Sequence, residues 1–241
     1  MKKKAIYTLI VLLVLWSCFA YSINNEYILP LPLDVFHFMS QQITTHTFYN
    51  AIYATLLRCM SGLVIAFVIS LVLGLAAGLN HKIEELLSPI YLLSKSIPNV
   101  SYILIALIWT NNETAVRIIS FMILFPMFYS NIVSGIQDID QDLIDVSRLY
   151  PEKWYRMIFR VYLPCIESYI MASLSNGIGL AFKVGVMAEI LGSVSPGIGR
   201  QFQICRINLD MTGIFAWTLW IIIILYILEF IVKKTHHRIT Q

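Results

Sequence analysis

Lys183 stands near the middle of an apolar run, "NGIGLAFKVGVMAEILG" (176–192). A lysine at the centre of a membrane helix costs about 2.5–3.5 kcal/mol on insertion scales, so it must face protein interior or a watery cavity. In a cavity its ammonium would favour an anion; in the interior it needs a carboxylate. Glu189 lies six residues on, about 600° of helix rotation, and therefore points to another face. A partner for Lys183 would have to come from another span or from a second copy of the chain. Two readings stay open: Lys183, Glu189 and Gly185 line a pathway or gate, or the charges pair structurally. Gly177, Gly179, Ala181 and Gly185 narrow the same stretch, which suits close helix packing in lipid.

Other reactive residue types do not converge. His37 and His46 lack a third ligand, and His81, His236 and His237 lie outside the apolar runs. Cys18, Cys59, Cys165 and Cys205 show no CxxC spacing, so neither a disulfide framework nor a metal site is indicated. A membrane-embedded enzyme would need His, Asp or Glu gathered within the spans. No cofactor is expected in the chain, and no nucleic-acid partner is indicated.

The elements that position these charges are membrane helices. Of 241 residues, 58% are hydrophobic and 13% charged, against about 45–50% and about 25% in soluble domains. Six runs are long enough to cross a bilayer: 5–22, 52–78, 89–109, 115–135, 168–192 and 213–232. With the N-terminus in the cytoplasm, that side receives Lys2, Lys3, Lys4, Lys82, Arg148, Lys153, Arg156, Arg160, Lys233, Lys234 and Arg238. The outer side receives Arg58, Arg117, Arg200 and Arg206. This bias fixes the orientation and, with an even span count, puts both termini inside. Lys95 is shallow enough to snorkel to the cytoplasmic interface. The start, "MKKKAIYTLIVLLVLWSC", looks superficially like a lipoprotein signal, but bulky Trp16 fits that reading poorly and the segment is kept as a span. Residues 1–49 form this span plus an outer amphipathic segment, with Leu33, Phe36 and Ile43 at loosely helical spacing. Residues 50–241 form one membrane core, with a cytoplasmic loop over 136–167.

That loop breaks the hydrocarbon pattern. "IQDIDQDLIDVSRLY" reads as a short helix with Ile136, Ile139, Leu143 and Val146 on one side. Pro151 interrupts it and can open a second helix through "EKWYRMIFR". Trp154, Ile158 and Val161 give the second helix an apolar stripe, and Leu163-Pro164 closes it. The result is a helical knob hanging from the cytoplasmic face.

The spacing of this knob resembles the permease subunits of bacterial binding-protein-dependent ABC importers of type I. Their loop signature is Glu-Ala-Ala, three residues, glycine, nine residues, isoleucine, one residue, Leu-Pro. Here stand Asp145-Val146-Ser147, then Arg148 and two more residues, Pro151, nine residues, Val161, one residue and Leu163-Pro164. The departure is Pro151, which fixes φ where glycine leaves it free. Further stretches resemble the nitrate, sulfonate, taurine and bicarbonate branch: Thr55, Leu56, Arg58, Gly62, Gly74 and Gly78; Ile97-Pro98 and Trp109; Phe125-Pro126, Asn131 and Gly135; Ala188-Glu189, Leu191-Gly192 and Gly197-Ile198-Gly199. Leu104 replaces a second proline, and Thr110-Asn111 replaces a Phe-Gly.

The resemblance implies an all-α permease in the bacterial cytoplasmic membrane, working by alternating access as a homodimer. It implies two cytoplasmic ATPase subunits, which would bind ATP and Mg, and an extracytoplasmic binding protein. The knob would be the ATPase-coupling helix. The chain itself has no GxxxxGK[ST] loop for nucleotide. The competing expectation, an ion-coupled secondary transporter or channel, calls for inverted repeats with paired polar sites, and no such symmetry is visible.

Overall fold

The computed structural model describes residues 2–140, 142–143 and 153–239. Every regular element among them is helical. In order these are α1 (Lys2–Ile23), α2 (Pro32–Gln42), α3 (His46–Leu79), α4 (His81–Ser96), α5 (Asn99–Trp109) and α6 (Asn112–Gln137). After the loop sequence come α7 (Trp154–Met157), a π turn (Ile158–Tyr162), α8 (Leu163–Cys165), α9 (Glu167–Gly192), α10 (Ile198–Ile207) and α11 (Met211–Ile239).

Short polar residues set several starts. The Thr45 hydroxyl accepts from Phe48 N–H, Asn80 from Lys82 N–H and Asn111 from Thr114 N–H, each satisfying an otherwise orphaned helix donor. Asn80 both ends α3 and opens α4, which makes a tight corner between them. The boundary drawn at 49/50 falls in the first turn of α3.

Among the described residues four helices are long and apolar enough to cross a membrane: α3, α6, α9 and the Met211–Val232 part of α11. The apolar stretch of α1, Ile10–Ile23, is shorter. The third expected span, 89–109, is not a continuous helix. It is broken between α4 and α5, which meet at 95°. Proline at 98 disfavours the helical region for Ile97 and has no N–H of its own; Ile97 is extended at φ −75°, ψ 128°.

The core is built around α6, which packs against α3, α9, α5 and α4. Ile103, Ile119, Val116 and Ala188 join α5, α6 and α9. Leu63, Leu124, Phe128 and Ala181 join α3, α6 and α9. Close approach depends on missing side chains: a Cβ on Gly74 would lie 2.9 Å from Ile132, and one on Gly177 2.5 Å from Phe128. A Cβ on Gly179 would meet only Glu229 Oε1, at an ordinary 3.9 Å, so close approach does not depend on this glycine.

The segment expected to be amphipathic is helical, but its buried stripe differs. Leu33, Phe36 and Ile43 are exposed, while Val35 and Met39 are buried against Ala216, Phe215 and Trp220 of α11 and Trp16 of α1. Trp16 stacks on Phe215 at 5.4 Å and donates from Nε1 to the Pro30 carbonyl. Trp220 Nε1 donates to Gln42 Oε1 at 3.0 Å. Apolar residues on both faces of α2 made its inward face ambiguous in the sequence.

Candidate functional site

Two separate stretches meet at a buried ionic node. Thr55 and Arg58 sit three residues apart on α3 and so share a face. Glu189, in the last turns of α9, is fully buried. Its carboxylate accepts from Thr55 Oγ1 at 2.8 Å, from Arg58 Nη1 at 2.8 Å and from Gly199 N–H at 3.0 Å. Arg58 Nη1 also donates to the Pro196 carbonyl at 2.6 Å, and its Nη2 reaches Glu113 at 2.9 Å. The Thr55 oxygen in turn accepts from Ile198 N–H at 2.9 Å. One carboxylate thereby holds α3, α9 and the start of α10, and the guanidinium extends the tie to α6. Burying both charges carries a desolvation penalty, which these directed hydrogen bonds offset.

Glycine is required where the chain crosses this carboxylate. A Cβ on Gly197 would lie 2.6 Å from Glu189 Oε2, and one on Gly199 2.7 Å from the Ile190 amide nitrogen. Arg58, which charge counting assigns to the outer side, is therefore spoken for by acids rather than by water; its side chain is 4% exposed. The sequence held a usable signal: Thr55 and Arg58 on one face, and an acid in a span that required a cation.

Lys183 and Glu189 are not brought together. Glu189 faces inward, while Lys183 is exposed on the side of α9 and makes no ion pair among the described residues. With its oxygens engaged inside its own chain, Glu189 is not free to pair with Lys183 of a second copy. Gly185 is packed directly against the Cys59 sulfur of α3, so it sits at a helix contact.

Of the knob, Asp145, Val146, Ser147, Arg148 and Pro151 lie outside the described residues. Leu163 and Pro164 lie within α8, inside a helical turn rather than at its end; the break falls at Ile166. The preceding turn is π-helical, and Leu163 N–H bonds the Ile158 carbonyl five residues back. A widened turn relieves the clash between a proline ring and the carbonyl four residues before it. The expected stripe is also altered: Trp154 is 76% exposed and Phe159 70%, so this segment presents bare aromatic surface. Ile136 belongs to the end of α6, where it is buried with Ile139; Leu143 is exposed and Val146 lies outside the described residues. Tyr169 of α9 donates to Asp138 Oδ2 at 2.5 Å, anchoring the base of the loop.

The bend between α4 and α5 opens a cavity of about 280 Å³ against α6. Tyr91, Ser94, Lys95, Asn99 and Tyr102 line one wall, and Pro126 and Ser130 stand on the other. The Tyr102 hydroxyl donates to the Ser94 carbonyl at 2.9 Å and so ties the two limbs of the bend.

A membrane helix broken beside a polar cavity is the arrangement in which irregular backbone at membrane depth lines a solute path. The family model for the binding-protein-dependent transport system inner membrane component matches residues 66–240. The chain belongs to this family and is a multi-pass inner-membrane permease subunit of an ABC transporter. It is 23% identical over 209 residues to the protein named as aliphatic sulfonates transport permease SsuC of Bacillus subtilis, covering 86% of this chain and 75% of that one. To the taurine transport system permease protein TauC of Escherichia coli it is 25% identical over 240 residues, covering 97% and 87%. In fold it is similar to a chain of the inward-facing MetNI methionine ABC transporter, with TM-score 0.72 at 17% identity over 81% of this chain and 97% of that one.

Proposed function

We propose that two copies of this chain form the translocation pathway of an importer for a small anionic solute of the sulfonate kind, delivered by an extracytoplasmic binding protein. Six spans, with α1 and the bent α4–α5 pair completing the four long helices, place both termini in the cytoplasm. The loop between α6 and α9 is the coupling element. Asp145, Val146, Ser147, Arg148 and Pro151 meet a groove on an ATPase subunit, and Leu163-Pro164 joins that contact to α9. ATP and its magnesium ion are bound by the two ATPase subunits, whose closure moves the knobs. Lys183, in the middle of a span and exposed on a single copy, faces the pathway or the second copy.

The observation that carries the coupling assignment is bare aromatic surface, Trp154 and Phe159, within the loop whose spacing matches the family signature. Exposed large aromatics beside a polar rim mark protein contacts. Tagged chain extracted in mild detergent should carry an ATPase that mass spectrometry identifies, and Asp145→Arg should release it. A folded, monodisperse wild-type complex without any ATPase would instead favour ion-coupled transport.

A further inference from the structure

We propose that the cavity at the α4–α5 bend is an oxyanion-binding subsite, with Lys95 as its cation and Asn99 and Ser94 as neutral donors. The inference rests on the permease reading and names a place where its anionic cargo is held.

Charge selects the sign of the ligand. Among the described residues Lys95 is the only charged side chain lining the cavity, and no carboxylate lines it. Among the described residues Lys95 forms no ion pair. The ammonium stands 5.8 Å from the centre of the Tyr91 ring, a cation–π contact that steadies the stem without neutralising the charge. A lysine placed only to favour the carboxyl end of α4 would explain the charge, but not the polar lining around it. Among the described residues the side chains of Asn99 and Ser94 have no hydrogen-bond partner, and Ser130 approaches from α6 with one weak bond to the Met127 carbonyl at 3.3 Å. One cation with several neutral donors suits a single negative charge spread over several oxygens.

Shape agrees. The walls between the polar groups are Ile123, Pro126 and Met127, which leave room for a short apolar tail beside the charged head. About 280 Å³ lies at the small end of ligand sites, too little for a sugar chain or a peptide and ample for a two-carbon sulfonate. The bend explains why the site exists. Backbone freed from helix geometry at membrane depth is tolerated where it lines a cavity, and here it turns the end of α4 and the start of α5 toward one space.

The test uses thiol-reactive sulfonates as the probe. In the complete transporter, with Cys18 and Cys165 replaced by serine, Asn99→Cys gives a thiol on one wall and, separately, Ser130→Cys gives one on the other. Each is reacted with anionic sulfonatoethyl methanethiosulfonate and with its cationic trimethylammonium counterpart. The ratio of rates is normalised to that of free cysteine. We expect about a tenfold preference for the anionic reagent, retained in Lys95→Arg and abolished or reversed in Lys95→Met. Ethanesulfonate should slow the labelling while ethylammonium should not. A normalised ratio near one in both cysteine variants, or a ratio that Lys95→Met leaves unchanged, overturns the subsite. ATPase co-purification, measured on the same preparations, reads the permease assignment separately, so an intact complex with a flat ratio rejects the subsite alone.

Discussion

Replacing Arg58 with methionine should be among the most damaging single changes in this chain, and the reason can be counted. The substitution keeps the length of the stem but removes donors from Glu189, from the Pro196 carbonyl and from Glu113. Glu189 then remains fully buried with only Thr55 and Gly199 as donors. Breaking a buried pair by removing one partner costs about 3–5 kcal/mol, most of it the uncompensated charge. At about 2–4 °C per kcal/mol for a chain of this length, the apparent Tm should fall by roughly 6–20 °C. Adding Glu189→Gln removes the stranded charge, so the double variant should recover a substantial part of the loss. Glu113→Gln is the control: this carboxylate is 59% exposed, and its pair with Arg58 contributes within about 1 kcal/mol. Thermal challenge followed by fluorescence-detected size exclusion in one detergent reads all four proteins. An unchanged midpoint in Arg58→Met, or a double variant no more stable than Arg58→Met alone, would refute the reasoning.

Gly185→Ala should destabilise by about 1–3 kcal/mol through overpacking, because its Cβ meets the Cys59 sulfur; Cys59→Ala in the same chain should relieve it, measured as the same midpoint. Tyr102→Phe removes the bond across the bend and should cost about 1 kcal/mol while lowering solute uptake in vesicles. Thiol labelling should separate the cysteines. Exposed Cys165 should react with an impermeant maleimide only from the cytoplasmic face. Burial and the nearby Asp210 carboxylate push the Cys205 thiol up to about 11, so at pH 8 only ~10⁻³ of it is thiolate and it should stay unlabelled until the pH nears that value. Trp154→Ala should weaken ATPase retention in a pull-down without shifting the thermal midpoint, since its ring is 76% exposed and lends little to the packed bundle.

The long spans were legible because hydrocarbon demands an unbroken apolar run, and α3, α6 and α9 follow it closely. The break at Ile97-Pro98 was visible as a motif but not as a bend, since apolar residues on both sides of it let 89–109 read as one span. Charge counting assigned Arg58 to the outer side because it weighs cations without their partners; Glu189 lies 131 positions away, and only the packed bundle joins them. Lys95 was read as a snorkelling side chain for the same reason: its neighbours Asn99 and Ser130 come from beyond a corner that periodicity does not reveal. Pro164 was expected to end a helix, yet a π turn lets the helix accommodate it.

The way α2 is seated sets a timetable for synthesis. Its berth is made from Ala216, Phe215, Trp220 and Trp16, and three of these belong to α11, which is synthesised after all the helices that precede it in the chain. Helix α2 must therefore wait, with Val35 and Met39 uncovered, until α11 has been made. A polypeptide truncated before α11 would keep that apolar strip on display, a ready mark by which membrane proteases could tell an unfinished subunit from a complete one.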